Sequence, residues 1–272
     1  NPSTGVVAFL LYEQYPEPTY TVCITDPNSD ETVDRLYDVS GGRSISSVGW
    51  LDRSTLVFVE VRSSRESALF TLDVQSGRAT ERESGYAKPA TSFGNDRIAV
   101  VAREGRDDQV YVLDGNFNRV ADTDIRGRVT NMSWDRSGTY LAVLVTGARG
   151  PEIMLWDSER KRAQKAGEDV FVPEVGAIYL DYAPVWDTAG NLYFAVQEFD
   201  FATAINRYDP DTGQTEEVFD FGDSFRSVSA FDVSTFINDS GETHQVVICG
   251  LSRASSRHRS AAIFFFNRSI SR

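Results

Sequence analysis

The chain has 272 residues, a formal net charge of −13, and a composition of 41% hydrophobic, 12% aromatic and 25% charged residues. This composition is typical of a folded protein with enough apolar residues for a core. The negative charge argues against nucleic-acid binding, because an acidic surface repels phosphates. No apolar run approaches the roughly 18 to 20 residues of a membrane-spanning helix, so the sequence predicts no membrane-spanning segment.

Strand-like segments recur along the chain in a fixed order. Six apolar segments end at an Asp or Asn and are each followed by a turn, at intervals of about 40 to 60 residues, which is the spacing of a structural repeat. These segments are Val22–Asp26, Leu69–Asp73, Val110–Asp114, Ile153–Asp157, Ile205–Asp209 and Ile263–Asn267. A second series of apolar runs precedes them and is typical of strands buried on both faces. These runs are Val6–Leu11, Leu56–Val59, Ile98–Val101, Leu141–Leu144, Leu192–Val196 and Val246–Cys249.

Two weaker series complete each repeat. An aromatic residue stands just before most of the second-series runs, namely Trp50, Phe93, Trp134, Trp186 and Phe231. We expect these aromatic side chains to pack between neighbouring repeats. After the Asp turns come polar, alternating segments of the kind expected at the outer edge of a sheet. These segments are Val33–Tyr37, Arg78–Arg82, Arg119–Ala121, Arg162–Lys165 and Thr215–Phe219.

Four antiparallel strands per repeat, in six repeats, predict an all-β protein: a six-bladed β-propeller that forms a single domain over residues 1–272. The approximate blade boundaries are 1–44, 45–88, 89–127, 128–180, 181–225 and 226–272. The first blade has no evident first strand, and the last has no evident fourth strand. Either short stubs at Asn1–Thr4 and Ser269–Arg272 complete these blades, or residues beyond them do.

One repeat resembles those of a known family. The segment Trp134–Val143, followed by Pro151–Asp157, resembles the repeats of TolB-like six-bladed propellers, and Trp186–Val196 followed by Ile205–Asp209 is similar. The blades around Trp50 and Phe93 depart from this pattern, since they lack the Gly of the first turn. The resemblance implies a propeller fold and an extracytoplasmic location, either periplasmic or secreted.

The loops that join second to third strands would share one face of such a propeller, around the mouth of its central channel. They lie near residues 12–19, 62–67, 103–108, 146–151, 198–204 and 251–260. Eight arginines fall in them, and arginine binds carboxylate and phosphate groups well. The arginines are Arg62, Arg65, Arg103, Arg106, Arg149, Arg253, Arg257 and Arg259. Tyr15 and Phe199 add aromatic surface to the predicted face.

Catalytic and metal motifs give little signal. The cysteines Cys23 and Cys249 form no CxxC pair, and the chain has two histidines, so a Cys/His metal cluster is not expected. No Gly-x-Ser-x-Gly elbow is present. We therefore predict no cofactor and a monomeric, non-catalytic binding propeller whose partner is a protein or an anionic small molecule. The alternatives are a metal-dependent propeller hydrolase or lactonase, and a propeller fragment of a larger secreted or sensor protein.

Overall fold

The computed structural model describes residues 3–14, 16–28, 33–104, 107–148, 150–170, 184–198, 201–220, 227–237, 243–252 and 261–270. These residues form 21 β-strands and no α-helix, which confirms the all-β prediction. They include no helix with the length and hydropathy needed to cross a membrane. The strands are β1 (Val7–Glu13), β2 (Thr19–Thr25), β3 (Asp34–Val39), β4 (Ser44–Trp50), β5 (Thr55–Val61), β6 (Ser67–Asp73), β7 (Arg78–Ser84), β8 (Tyr86–Ser92), β9 (Arg97–Glu104), β10 (Asp107–Asp114), β11 (Arg119–Trp134), β12 (Tyr140–Gly147), β13 (Gly150–Asp157), β14 (Arg162–Glu168), β15 (Val185–Trp186), β16 (Leu192–Glu198), β17 (Phe201–Asp209), β18 (Gln214–Asp220), β19 (Ser227–Ile237), β20 (Thr243–Ser252) and β21 (Ala261–Ile270).

The strands pair antiparallel with their neighbours in the chain. Strands β1–β3 form a three-stranded first sheet, and β4–β7 form a four-stranded second sheet. Strands β8–β14 form one continuous seven-stranded sheet. A four-stranded sheet of β15–β18 and a three-stranded last sheet of β19–β21 follow. Antiparallel four-stranded sheets are thus present, and the count of six blades stays a prediction.

The long strand β11 explains the seven-stranded sheet. Its residues up to Gly127 pair with β10, and its residues from Arg128 onward pair with β12. Gly127 has a φ of 132°, which residues with a side chain rarely adopt. One strand is therefore the outer strand of one four-stranded group and the inner strand of the next.

The chain divides into two compact units. The first unit contains the first sheet, the second sheet and strands β8–β10 with the adjoining part of β11, and the second unit contains most of the remaining strands. Their ranges are Asn1–Gly127, Ser137–Thr139 and Ser158–Arg162 for the first, and Arg128–Arg136, Tyr140–Asp157 and Ala163–Arg272 for the second.

The first unit has its core between successive sheets. Val22 of the first sheet packs with Leu56, Phe58, Phe70 and Leu72 of the second. The rings of Phe58 and Phe70 are stacked, with 5.3 Å between their centroids. A second cluster joins the second sheet to β9 and β10 through residues such as Val57 and Ile98. Many of these side chains come from the apolar runs of the sequence, and both faces of β5 are covered, since five consecutive residues of that strand are buried.

The second unit is built in the same way. Leu144 and Leu155 pack with Tyr193 and Phe194 in one buried cluster. Gly167 lies so close to Phe194 that a Cβ atom at Gly167 would be 2.5 Å from Cζ of the ring. Only glycine fits at this position without a shift of the neighbouring ring.

The aromatic residues that end the inner strands are packing residues where the structure describes their surroundings. Trp186 stacks on Tyr140 of the neighbouring sheet, with 6.4 Å between ring centroids, and its Nε1 donates a hydrogen bond to the carbonyl oxygen of Ser133 at 3.2 Å. Trp134 is 8% exposed and meets Trp156 edge to face. These contacts agree with the expected packing role.

The predicted Asp turns are also present. Asp73 and Asp209 each accept hydrogen bonds from backbone N–H groups two or three residues later, which closes the hairpins between third and fourth strands. Asp135 accepts from the N–H of Tyr140 at 2.7 Å, and Asp187 accepts from the N–H groups of Ala189 and Asn191. An Asp side chain that bonds its own turn in this way is a structural device rather than a catalytic one.

Within the described residues, the first and last sheets contain the strands that the sequence pattern made evident. The first sheet has the second, third and fourth strands of the repeat, and the last sheet has the first, second and third. Ser269 pairs with His244 inside β21, so this part of the proposed C-terminal stub belongs to the third strand.

Candidate binding site on the β5–β6 loop

The loop between β5 and β6 contains Arg62 and Arg65, two of the arginines selected from the sequence. The loop is a tight hairpin, since the N–H of Arg62 donates to the carbonyl oxygen of Glu66 at 2.9 Å and the N–H of Ser63 donates to the same oxygen at 3.1 Å. The N–H of Arg65 donates to Oγ of Ser63 at 3.3 Å. The loop therefore holds its two arginines on a short, hydrogen-bonded turn.

A buried carboxylate lies directly beneath this loop. Glu60 is the next-to-last residue of β5, and 1% of its side chain is exposed. Its Oε2 accepts a hydrogen bond from the hydroxyl of Tyr37 at 2.8 Å, and its Oε1 accepts from Arg43 and Arg62, each at 3.1 Å. A buried charge is tolerated only when it is paired and hydrogen-bonded, and Glu60 meets both conditions.

Arg62 connects Glu60 to the outer strand β7. Its Nη2 lies 2.6 Å from Oε2 of Glu81, and its Nη1 lies 3.8 Å from Oε1 of Glu66. The guanidinium also lies over the ring of Phe70, 5.8 Å from the centroid. We call Tyr37, Arg43, Glu60, Arg62 and Glu81 the Glu60 cluster. Each nitrogen of the Arg62 guanidinium faces a carboxylate, so its charge is largely neutralised inside the protein.

The pKa values in the cluster follow from these contacts. Burial would raise the pKa of Glu60, but hydrogen bonds from Tyr37 and Arg62 and the charge of Arg43 lower it below its ordinary value. Burial, followed by the hydrogen bond to Glu60, raises the pKa of Tyr37 to about 12. Hydrogen bonds to Glu81 and Glu60 raise the pKa of Arg62. Glu60 is therefore ionised, Tyr37 neutral and Arg62 charged at neutral pH.

The other selected residues divide into two groups. Arg65 lies on the loop and Arg103 lies near the end of β9, opposite Asp108 in the β9–β10 pairing; both are exposed. Neither forms an ion pair with another residue in the part of the chain that the structure describes. The remaining candidates lie outside the described residues: Arg106, Arg149, Arg253, Arg257, Arg259, Tyr15 and Phe199. Their binding role stays a prediction.

The sequence reasoning selected Arg62 but missed its partners. Tyr37, Arg43 and Glu81 belong to separate segments of the chain, and nothing in their spacing links them. Glu60 did carry a signal, because it interrupts the apolar run Leu56–Val61 that the pattern assigns to a buried strand. A charged residue at such a position indicates a buried partner.

No group of three or more His, Cys, Asp or Glu side chains is placed to hold a metal ion within the described ranges. The donor set of the Glu60 cluster is a mixture of two carboxylates, two guanidinium groups and a phenol. The positive groups make it an ion-pair network rather than a cation site.

Comparison with known proteins identifies a similar fold but shows no closer relationship. No family model matches the sequence, and no curated protein matches it. Solved structures do match. The structure of TolB from Acinetobacter baumannii matches with a TM-score of 0.59 and 15% identity, covering 90% of this chain and 61% of that one.

Two further solved structures have a similar fold. A nidogen/laminin complex matches with a TM-score of 0.54 and 11% identity, over 90% of this chain and 89% of that one. An oligogalacturonate lyase in complex with manganese matches with a TM-score of 0.59 and 12% identity, over 95% and 75%. Identities this low establish the fold alone. The fold thus resembles that of TolB-like propellers, as the repeat motif predicted, and this chain spans about three-fifths of the TolB chain.

Proposed function

We propose that this chain is a non-catalytic binding domain that recognises an anionic group of a partner, at the end of the sheets where the β5–β6 and β9–β10 hairpins turn. The supporting observation is a contrast among three arginines. The guanidinium of Arg62 forms ion pairs with Glu60 and Glu81. By contrast, Arg65 and Arg103 are exposed and form no ion pair within the described residues. Exposed guanidinium groups suit carboxylate or phosphate groups, which they bind through two parallel hydrogen bonds.

The Glu60 cluster gives this proposal a rigid base. It fixes the loop that carries Arg65, and loops on a fixed scaffold are common binding sites. Arg106, Arg149, Arg253, Arg257 and Arg259 would extend the positive surface, with Tyr15 and Phe199 as aromatic contacts. By its resemblance to TolB, we further propose an extracytoplasmic, monomeric domain.

The test is binding of a fluorescein-labelled polyglutamate peptide, followed by fluorescence anisotropy, with inorganic phosphate as a competing anion. The double variant R65A/R103A should weaken binding about tenfold, since each charged contact contributes on the order of 1 kcal/mol. The matched control is R78A, because Arg78 is exposed but follows the β6–β7 turn at the opposite end of β6. Affinity should also fall as salt rises, since exposed charges are screened over about 8 to 10 Å.

The outcomes separate the possibilities. Equal affinity for R65A/R103A and R78A would contradict the proposed surface. Competition by phosphate at millimolar concentration would favour a small anion, and its absence would favour an acidic protein segment. Melting temperatures of both variants should match that of the unmodified protein, because the substituted side chains are exposed.

A metal-dependent hydrolase or lactonase is the competing proposal. Its support is that one solved structure with a similar fold is a lyase in complex with manganese. Titration calorimetry with Mn²⁺ and Ca²⁺, combined with a lactone hydrolysis assay, tests it directly. Saturable metal binding accompanied by turnover would favour the enzyme over the binding domain.

A further inference from the structure

Lys88 has a backbone conformation that is unusual for its residue type. It lies in β8, an edge strand of the seven-stranded sheet, and its φ of 47° is in the left-handed region. Residues with a Cβ atom are disfavoured in that region. The restriction is stronger here because the next residue is Pro89, and a residue before proline is normally extended. The backbone is therefore strained at Lys88.

The strain is not a requirement of the bulge that contains Lys88. Strand β8 has a bulge around Lys88, and β4, the inner strand of the second sheet, has a bulge that contains Ser46 and Ser47. Neither serine has a positive φ. Where a bulge does contain a left-handed residue, that residue is normally glycine. Since bulges are frequent beside functional sites, where they redirect a side chain, the conformation of Lys88 indicates a role for its side chain.

Two side-chain hydrogen bonds fix the backbone on either side of Lys88. The hydroxyl of Ser67 donates to the carbonyl oxygen of Tyr86 at 2.7 Å, and the hydroxyl of Ser47 donates to the carbonyl oxygen of Pro89 at 3.4 Å. Both donors belong to the second sheet, on β6 and β4. Pro89 itself is buried. The neighbouring sheet thus holds the strained residue in place, which is the condition under which backbone strain persists.

Lys88 also differs in burial from the other lysines of the chain. The sequence has three lysines, and Lys161 and Lys165 are exposed whereas Lys88 is half-buried. The attraction of a partly buried charge to an anion is screened by salt much less than that of an exposed charge. In β8, Tyr86 pairs with Ala102 close to the β9–β10 hairpin, so Lys88 lies two residues inside that end of the sheet. A small ligand can therefore reach this position from the hairpin end.

We propose that Lys88 binds one anionic group of a small ligand, a carboxylate or a phosphate, at the edge of the sheet formed by β8. Its ammonium group is a compact charge with three hydrogen-bond donors, and lysine commonly binds phosphate groups. The exposed hydroxyl of Ser46, in the bulge of the neighbouring inner strand, is a second donor. The left-handed conformation directs the lysine side chain, and the two serine hydrogen bonds fix it before the ligand binds, which lowers the entropic cost of binding. The site does not require Arg65 or Arg103.

The small number of lysines permits a direct test by NMR. Reductive methylation with isotopically labelled formaldehyde labels Lys88, Lys161, Lys165 and the N-terminal amine, and the methylated lysines keep their positive charge. The probes are inorganic phosphate and citrate, with sodium chloride at matched ionic strength as the reference. We expect a saturable shift of the Lys88 signal with at least one probe, and no comparable shift of the other two lysine signals. A response to phosphate alone would assign a phosphate ligand, and a response to citrate alone would assign a carboxylate ligand.

Substitutions provide the second measurement. K88M should weaken binding of the responding anion about tenfold in titration calorimetry, because methionine keeps the volume of the side chain but not its charge. The matched control is K161M, since Lys161 is exposed and also has a left-handed backbone, with a φ of 50°.

Two results would overturn the proposal. One is equal anion affinity of K88M and K161M. The other is a Lys88 signal that phosphate and citrate move no further than sodium chloride does, and this result is obtained on the unsubstituted chain, so it does not depend on the folding of a variant. R65A/R103A should give the same Lys88 titration as the unsubstituted chain, so failure here and failure of the proposed arginine surface are distinguishable.

Discussion

The hydroxyl of Tyr37 donates a hydrogen bond to the carboxylate of Glu60 between the first and second sheets, with 2.8 Å between the two oxygen atoms. Tyr37 belongs to the outer strand of one sheet and Glu60 to the second strand of the next. The ring of Tyr37 also packs on Phe58, 5.0 Å between centroids. A polar link is thus embedded in an apolar interface, where hydrogen bonds are strong and unpaired groups are costly.

Removal of the Glu60 carboxylate should destabilise the first unit. E60A should lower the free energy of unfolding by about 3 kcal/mol, since it leaves two arginines and a tyrosine without their shared acceptor. Urea denaturation measures this value. The control is E81A, because Glu81 is 45% exposed and its pair with Arg62 should contribute less than about 1 kcal/mol. Equal losses for the two variants would contradict the central role of Glu60.

The loss of folding stability at high pH should depend on Tyr37. Its pKa is raised to about 12 in the folded protein, against about 10 in an unfolded chain. A group with a raised pKa contributes stability that is complete below pH 10 and is lost as the pH rises toward 12. Thermal melting between pH 9 and 12 should therefore fall more steeply for the unmodified protein than for Y37F. Parallel curves would show that Tyr37 ionises as freely in the folded state as in the unfolded chain.

The loss of folding stability at low pH should depend on Glu60. Because its pKa is lowered by folding, its contribution is present above the ordinary glutamate pKa of about 4.3 and is lost as the pH falls through the folded value. E60Q should be less stable than the unmodified protein at pH 7, and this difference should shrink below pH 4. A difference that stays constant from pH 7 to pH 3 would contradict the lowered pKa.

Gly167 should not tolerate a side chain. G167A would place a Cβ atom 2.5 Å from Cζ of Phe194, so we expect a loss of about 1 to 3 kcal/mol in unfolding free energy. The control is G147A, since a Cβ atom there would meet the flexible end of Glu152 at 3.2 Å. The double variant G167A/F194L should recover part of the loss. A neutral G167A would show that the ring moves aside at no cost.

Trp134 should be a packing residue. W134A should cost about 3 to 5 kcal/mol, because the side chain is 8% exposed and its ring contacts Trp156. Chemical denaturation followed by circular dichroism measures the change. V120A, a substitution at an exposed valine, should stay within about 0.5 kcal/mol. A near-neutral W134A would rule out the buried role that the repeat predicts.

The sequence by itself determined the strands, their order and their turns. Apolar runs such as Leu141–Leu144 and turn residues such as Asp73 act over a few positions, so their consequences can be deduced from the local pattern. The same repeat predicted that the first and last sheets would have three strands each. Local chemistry is sufficient for these features because each depends on neighbours in the chain.

The tertiary structure decided what individual side chains do. The sequence treated Arg62, Arg65 and Arg103 alike, but Arg62 is turned toward Glu60 by a cluster assembled from the first and second sheets. Likewise, the sequence does not separate Lys88 from Lys161, and only the structure shows that Lys88 is half-buried while Lys161 is exposed. Both outcomes depend on contacts between segments far apart in the chain, and charge and burial are properties of those contacts rather than of the residue type.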